Sequence, residues 1–307
     1  MKSTTTAAQA ITRPEYITRA ITAILDRLNA QRDAITETGR PALNSRTIKK
    51  LDIITPIWDR IQAGKRISTA DQVRALQTLH TSEEMTAKLE DVNAMSTACS
   101  VNPICQARAT DACSICHHCF AFTTLDRYND LEQAAIINFV ILNMMIHSSA
   151  AWKAVSIPAS AAGQLFRVEA FGDTASAIQA ANYITMAATH RYLGKVGIWS
   201  KNLGFWATAF ETLGKPDNVV FNASSPELNK PATIPDRFQW FIDHVFTVYD
   251  AAHAIAEGVS INCGLNNCRD CRHCYKRNNA QAVNEILKQE AKRYYKARGI
   301  DYKGRGK

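Results

Sequence analysis

Leu165-Phe166-Arg167-Val168-Glu169-Ala170-Phe171-Gly172-Asp173 and Lys195-Val196-Gly197-Ile198-Trp199-Ser200-Lys201-Asn202 decide the fold. Each is a short, largely apolar run that stops at small or polar residues. Between them, Thr174 to about His190 carries apolar residues at helical spacing. The unit recurs. Leu203 to Leu213 reads as a helix, and Asn218-Val219-Val220-Phe221 as a strand ending in Asn222-Ala223-Ser224-Ser225. His244 to Tyr249 is a further strand, and Gly258-Val259-Ser260-Ile261-Asn262 another that runs into Cys263. Strands alternating with helices predict βα units on a parallel sheet. Ligands of such sheets bind at the carboxyl ends of the strands, so Gly172, Asp173, Ser200, Lys201, Asn222 and Ser224 are expected on one rim. The same residue types also make turns and helix caps.

Outward from this block the character changes. Residues 1 to 92 read as helical throughout, with Ile17, Ile21, Ile24, Leu25 and Leu28 on one face and Ser68 as an N-cap before Val73 and Leu76. Leu131 to about Lys153 is a helix whose apolar stretch, Ala134 to Ile146, is interrupted by Asn138 and Asn143. It is too short to span a bilayer and reads as buried. The opening Met1-Lys2-Ser3-Thr4-Thr5-Thr6 has no apolar signal region, so a soluble, cytoplasmic protein with reduced thiols is expected. The plan is a helical accessory domain over 1–92, an α/β unit over 93–275 and a basic helix and tail over 276–307.

Charge follows that plan. Of the net +8, the segment from Lys276 to Lys307 holds ten Lys/Arg against three Asp/Glu, interleaved with Tyr294, Tyr295 and Tyr302. Such a segment suits phosphate contact and base stacking, and equally a solvated terminal helix. Within the strands, Arg167 and Glu169 stand two apart on one face. Charges there are costly unless they pair with each other or face a cavity. Lys201 and Asp250 are cavity charges on the same logic, or else surface residues. No phosphate-binding Gly-rich loop, HExxH or GxSxG motif occurs.

The nine cysteines fall in two places: Cys99, Cys105, Cys113, Cys116 and Cys119, then Cys263, Cys268, Cys271 and Cys274. The second group has C-x4-C-x2-C-x2-C spacing within an Asn- and Arg-rich loop. Four soft ligands so spaced suit zinc or an iron–sulfur cluster. His117, His118 and His273 beside the cysteines read as supporting or solvent-facing groups.

The first group, with Cys116-His117-His118-Cys119-Phe120-Ala121 ahead of the long helix, resembles the cluster loop of the radical S-adenosylmethionine superfamily. Phe171-Gly172-Asp173 stands where that superfamily has Gly-Gly-Glu at the end of its second strand. More narrowly, these stretches and Cys271-Arg272-His273-Cys274-Tyr275 resemble small phage-encoded proteins of the "gene product eighty-eight" type, over residues 93–276. The resemblance implies a partial (β/α)6 barrel with a [4Fe-4S] cluster on three cysteines and S-adenosylmethionine at the strand ends. It further implies an auxiliary centre on the C-terminal group, either a second cluster or zinc. The ligands it suggests are Cys105, Cys116 and Cys119, with Cys113 the rival for one place and Cys99 either a fourth ligand or a free thiol. The x3 spacing usual in that superfamily is absent here. Two functions follow: reductive cleavage of S-adenosylmethionine to act on an unknown substrate, or a non-catalytic zinc or iron–sulfur module that binds nucleic acid or a protein partner.

Overall fold

The computed structural model describes residues 11–35, 39, 41–81, 92–158, 165–265, 267–277 and 281–300. Three helices come first: α1 (Glu15–Ala30), α2 (Ser45–Gln62) and α3 (Thr69–Leu76). Ser68 caps α3 by accepting from the Asp71 amide. Then follow β1 (Asn93–Met95), α4 (Pro103–Ala109), α5 (Phe120–Arg127), α6 (Asn129–Met144) and α7 (Ser149–Lys153). The regular alternation begins with β2 (Leu165–Val168), α8 (Ala177–Thr189), β3 (Lys195–Ser200), α9 (Leu203–Leu213) and β4 (Val219–Ser224). It closes with α10 (Asp236–Gln239), β5 (His244–Tyr249), α11 (Ala251–Ala256), α12 (Cys268–Cys271), β6 (Gln281–Ile286) and α13 (Ala291–Ala297).

All six strands are parallel and lie in chain order, β1 to β6, with β1 and β6 at the edges. When every crossover returns to the next strand with one hand, the helices gather on one face. That face holds the main core. Phe166, Val168, Val196, Ile198 and Phe221 meet Phe139, Ile178, Trp206 and Phe210 there. The core runs on without a break into Ile17, Ile21, Leu28, Leu51 and Ile54 of α1 and α2, which pack on α6. α6 is buried nearly all round, and its two asparagines are satisfied. Asn138 donates to the carbonyls of His80 and Ser96, and Asn143 accepts from Ser176 Oγ at 2.6 Å. No helix among the described residues is long and apolar enough to cross a membrane.

The other face is open. Its residues alternate with those of the core: Ala94, Arg167, Gly197, Trp199, Asn222, Ser224 and Phe246. Gly197 is required there. A Cβ on it would lie 2.6 Å from Tyr275 Cε1 and 2.8 Å from Trp199 Cζ3, both on buried rings. Gly197→Ala is expected to cost about 2–3 kcal/mol through overpacking, read as a lower denaturation midpoint with unchanged m-value.

The helix read over Leu131 to Lys153 is two, α6 and α7, parted at an extended Met145, and three further segments differ from the sequence reading. β2 ends at Val168 and not at Phe171, because Glu169 takes a left-handed backbone, φ +57°. Residues 258–262 form no strand. Asn262 fills the edge of β6 with its side chain, donating to Ala282 O and accepting from Asn284 N, and only Cys263 makes a bridge to Glu285. The sixth strand instead lies at 281–286, within the segment read as a basic helix; its polar Gln281-Ala-Val-Asn-Glu-Ile carries little strand signal. Tyr294 and Tyr295 are buried against Tyr249 and Ile286, so they offer no stacking surface to a base. Tyr302 lies outside the described residues.

Candidate metal centre and cavity

The first cysteine group stands at the carboxyl ends of the strands. Cys99 follows β1 by four residues. α4 carries Cys105, and Asn102 caps it by accepting from the amides of Ile104 and Cys105. The same side chain donates to Asp173 O at 2.6 Å, which fixes α4 against the end of β2. Pro103 at the first helical position completes this start. A 3-10 turn over Ile115–His118 carries Cys116. Ile115 N and Ser114 Oγ both donate to Pro226 O beyond β4. Three strand ends therefore hold the three parts of the loop.

Four thiols come together here. Cys99, Cys105 and Cys116 are buried, and Cys119 is half-buried. The Cys99 thiol donates to the Cys119 sulfur, which draws Cys119 below the ordinary thiol range and pushes Cys99 above it. Burial, then the Asp173 charge, raises Cys105. Cys113 is different: it is exposed, and its amide is held by Asp111. His117 is exposed and meets Ala109 O through Nδ1. Among the described residues, no three His, Cys, Asp or Glu side chains take up the geometry of a bound metal ion. The donor set nevertheless fits an iron–sulfur cluster in kind: soft sulfurs on one wall, shielded from water, beside a cation.

That cation is Lys201, at the carboxyl end of β3. Burial works to lower its pKa, but Asp173 and the sulfurs of Cys116, Cys105 and Cys119 outweigh it and hold the ammonium above the ordinary lysine value. Asp173 is fully engaged. Its carboxylate accepts from Ser200 Oγ at 2.6 Å, Thr174 N at 2.7 Å, Lys201 N at 3.1 Å and Arg108 Nη1 at 3.4 Å. It ties β2, β3 and α4 together and sets the backbone of Lys201. Asp173 and Ser200 are thus positioning groups that bond to each other.

Gly172, Lys201 and Ser224 do face one cavity of about 160 Å³, walled by Cys116, Cys119, Phe120, Phe171, Trp199 and Phe246. Asn222 lies deeper, in the middle of β4, and donates to Ile198 O and Cys274 O. Sequence reading placed it at a strand end because Phe221 is the last large apolar residue; β4 runs three residues further. Asp250 caps α11 through His253 N and meets Asn229, away from this cavity.

A buried carboxylate network beneath the cavity has little sequence signal. Glu169 accepts from Thr97 N at 3.0 Å, Thr97 Oγ1 at 3.0 Å, Gln179 Nε2 at 2.5 Å and Tyr183 OH at 2.7 Å. Burial pushes its carboxyl up to about 8, against the pull of Tyr183 and Thr97. It does not pair with Arg167. The left-handed turn at Glu169 directs its carboxylate to α8, while the Arg167 guanidinium lies over Trp199, 4.2 Å from the ring centroid.

The second cysteine group lies over the open face: Cys268 and Cys274 pack against the cluster of Ala94, Leu165, Trp199 and Tyr275, and Cys263 bridges Glu285 of β6. Cys263, Cys268, Cys271 and Cys274 all line one pocket of about 120 Å³. The following residues, Tyr275 to Arg277, pass the amino ends of β2, β3 and β4 beside Leu165, Lys195 and Asn218. His244 Nε2 meets Lys276 O at 2.8 Å, and Tyr275 packs edge-on to Trp199. No protein-family model, curated protein or solved structure matches this chain.

Proposed function

We propose that this chain is an iron–sulfur protein of the radical S-adenosylmethionine type, built on a partial (β/α)6 barrel and acting on a small substrate in the cavity at its mouth. The observation that carries this reading is the meeting of Cys105, Cys116 and Cys119 at the carboxyl ends of a sequentially ordered parallel sheet, with Cys116 and Cys119 on the wall of a cavity that also holds Gly172 and Lys201. When bound, the cluster supplies the electron that cleaves S-adenosylmethionine. The chain's own residues do the rest. Lys201 offsets the negative charge of the thiolates, Asp173 accepts from its backbone amide and is held in turn by Arg108, and buried Phe171 and Trp199 form apolar walls of the chamber. Gly172 lets backbone approach closely: its φ is +75°, and a Cβ would lie 2.5 Å from Thr97 O. Exposed Cys113 is left outside the ligand set.

The four C-terminal thiols would hold a second centre that pins the Arg272–Arg277 segment across the floor of the sheet, either a cluster or zinc. Cys271→Ser should remove that metal and lower thermal stability, since ligation free energy is also folding free energy. Unchanged metal content in that variant would end this part of the reading. The main test is anaerobic purification followed by iron, sulfide and zinc analysis and absorption spectra, then incubation with S-adenosylmethionine and dithionite. Brown protein that releases 5′-deoxyadenosine supports the enzyme. Colourless zinc protein at both sites would leave only a non-catalytic module, with a protein or nucleic acid as partner. Brown protein that neither binds nor cleaves the cofactor would leave a cluster-bearing barrel without that chemistry.

A further inference from the structure

Arg167 is the least expected group in the cavity. It occupies the middle of β2, opposite Ala94 on one side and Gly197 on the other, so it projects from the open face at the level where neighbouring strands carry the smallest side chains. Its guanidinium carbon lies over the Trp199 ring, 4.2 Å from the centroid. Its Nε is buried and has no hydrogen-bond partner. The carboxylates near it are committed elsewhere or on other strands: Asp173 holds Arg108, and Glu169 is bound by Thr97, Gln179 and Tyr183. Glu285, on β6 across the cavity, also lines it, with Lys201 and Lys288. No ion pair to Arg167 occurs among the described residues.

Arg167 is half-buried, with its Nε shielded from water and no anion on it; that is unfavourable, and folding alone gives no reason to keep it there. Stacking on Trp199 compensates only in part. What the arrangement does provide is a planar fork fixed in orientation before any ligand arrives, and that is the geometry that binds a carboxylate through two parallel N–H donors. Beside the polar groups that also line it, the apolar walls are Phe120, Phe171, Trp199, Phe246, Val248 and Ile286, which suit an apolar body of about ring size.

The geometry points to Arg167 as the specificity residue of the cavity, and to the ligand as a small organic carboxylate whose apolar part lies among these aromatic walls with its carboxylate on the guanidinium. This deepens the reading of the cavity as a reaction chamber, but it needs neither metal nor turnover. Its failure and the failure of that reading are therefore separable.

The test uses the full chain as purified, with benzoate as probe, benzamide as its neutral isostere and inorganic phosphate as a second anion. Binding is followed by Trp fluorescence and calorimetry. Wild-type protein should bind benzoate at least tenfold more tightly than benzamide, and Arg167→Met should bind the two alike. Arg167→Met should also melt no lower than the wild type, because it removes an unpaired cation. Arg167→Lys keeps the charge without the fork and should lose most of the preference, which gives a reading even where the Met variant fails to fold. Equal binding of benzoate and benzamide by the wild type would overturn the assignment, as would a preference that survives in both variants. Phosphate binding in place of benzoate would overturn the carboxylate class. A Met variant that folds but melts well below the wild type would make Arg167 a structural strut.

Discussion

Glu169→Ala should destabilise the protein by about 4 kcal/mol or more, the largest stability effect expected of any single substitution outside the cysteines. The residue is 3 % exposed and accepts from Thr97, Gln179 and Tyr183. Truncation leaves those buried donors without an acceptor, each at roughly 1–3 kcal/mol, and opens a hole beneath the cavity. Glu169→Gly loses the same bonds but relieves the left-handed backbone, so it should recover about 1 kcal/mol of the loss. An Ala variant within about 1 kcal/mol of wild type in urea denaturation would show that water replaces the carboxylate without cost. The effect should reach the metal site too. Thr97 stands two residues before Cys99, so slackening it frees the start of the cysteine loop, and iron retention should fall with stability.

The same residue gives a pH signature. Its carboxyl is raised in the folded state to about 8 by burial. A raised carboxyl means the folded state binds a proton that the unfolded state has released. Its contribution is therefore fully present below the ordinary carboxylate pKa of about 4.5 and is lost as pH rises to about 8, by an amount on the order of 4 kcal/mol. The protonated form is accommodated because the Tyr183 hydroxyl can turn from donor to acceptor. His147 acts in the other direction: burial lowers it to about 4, so its contribution is lost as pH falls from about 6.5 toward 4. Glu169→Gln leaves the His147 term in place and removes the Glu169 slope. The difference between the two stability curves isolates the carboxylate, and parallel curves from pH 5 to 8 would refute the raised value.

These residues also mark where sequence reading stopped. The alternation of apolar runs with helical spacing located β2 to β5 and α8, and it fixed the bounds of α9, because both faces of those elements are dictated by burial. β6 escaped because it lies at the sheet edge, with only Val283 and Ile286 buried. The rim was legible as a set of strand ends, but not which members face the cavity. Asp173 and Ser200 turned out to bond each other, and Asn222 lies in mid-strand. That distinction depends on where each strand stops, which is the least determined feature of a local pattern. The Glu169 network depends on one residue adopting a positive φ, and Glu has no local preference that announces it. The stacking of Arg167 on Trp199 joins two strands and is likewise a product of register.

The cysteines were legible as two groups, whereas their division of labour depends on the fold and yields the second large effect. In a Cys271→Ser background, where the C-terminal centre no longer contributes metal, Cys105→Ser, Cys116→Ser and Cys119→Ser should each remove the whole of the remaining iron. A hydroxyl replaces a soft sulfur in the ligand set, and affinity is lost with it. Cys113→Ser should keep that iron in full, because its side chain is exposed where the other four are buried or half-buried. Cys99 separates two roles. It donates to Cys119 from a fully buried position, so as a supporting group its serine variant still donates and retains iron. As a ligand, its serine variant would lose iron like Cys116→Ser. Iron and sulfide per chain, with paramagnetic resonance of the reduced protein, read all five variants at once. Full iron retention in Cys116→Ser, or complete loss in Cys113→Ser, would show that the centre is held by a different set of sulfurs and would remove the basis for placing it on the wall of the cavity.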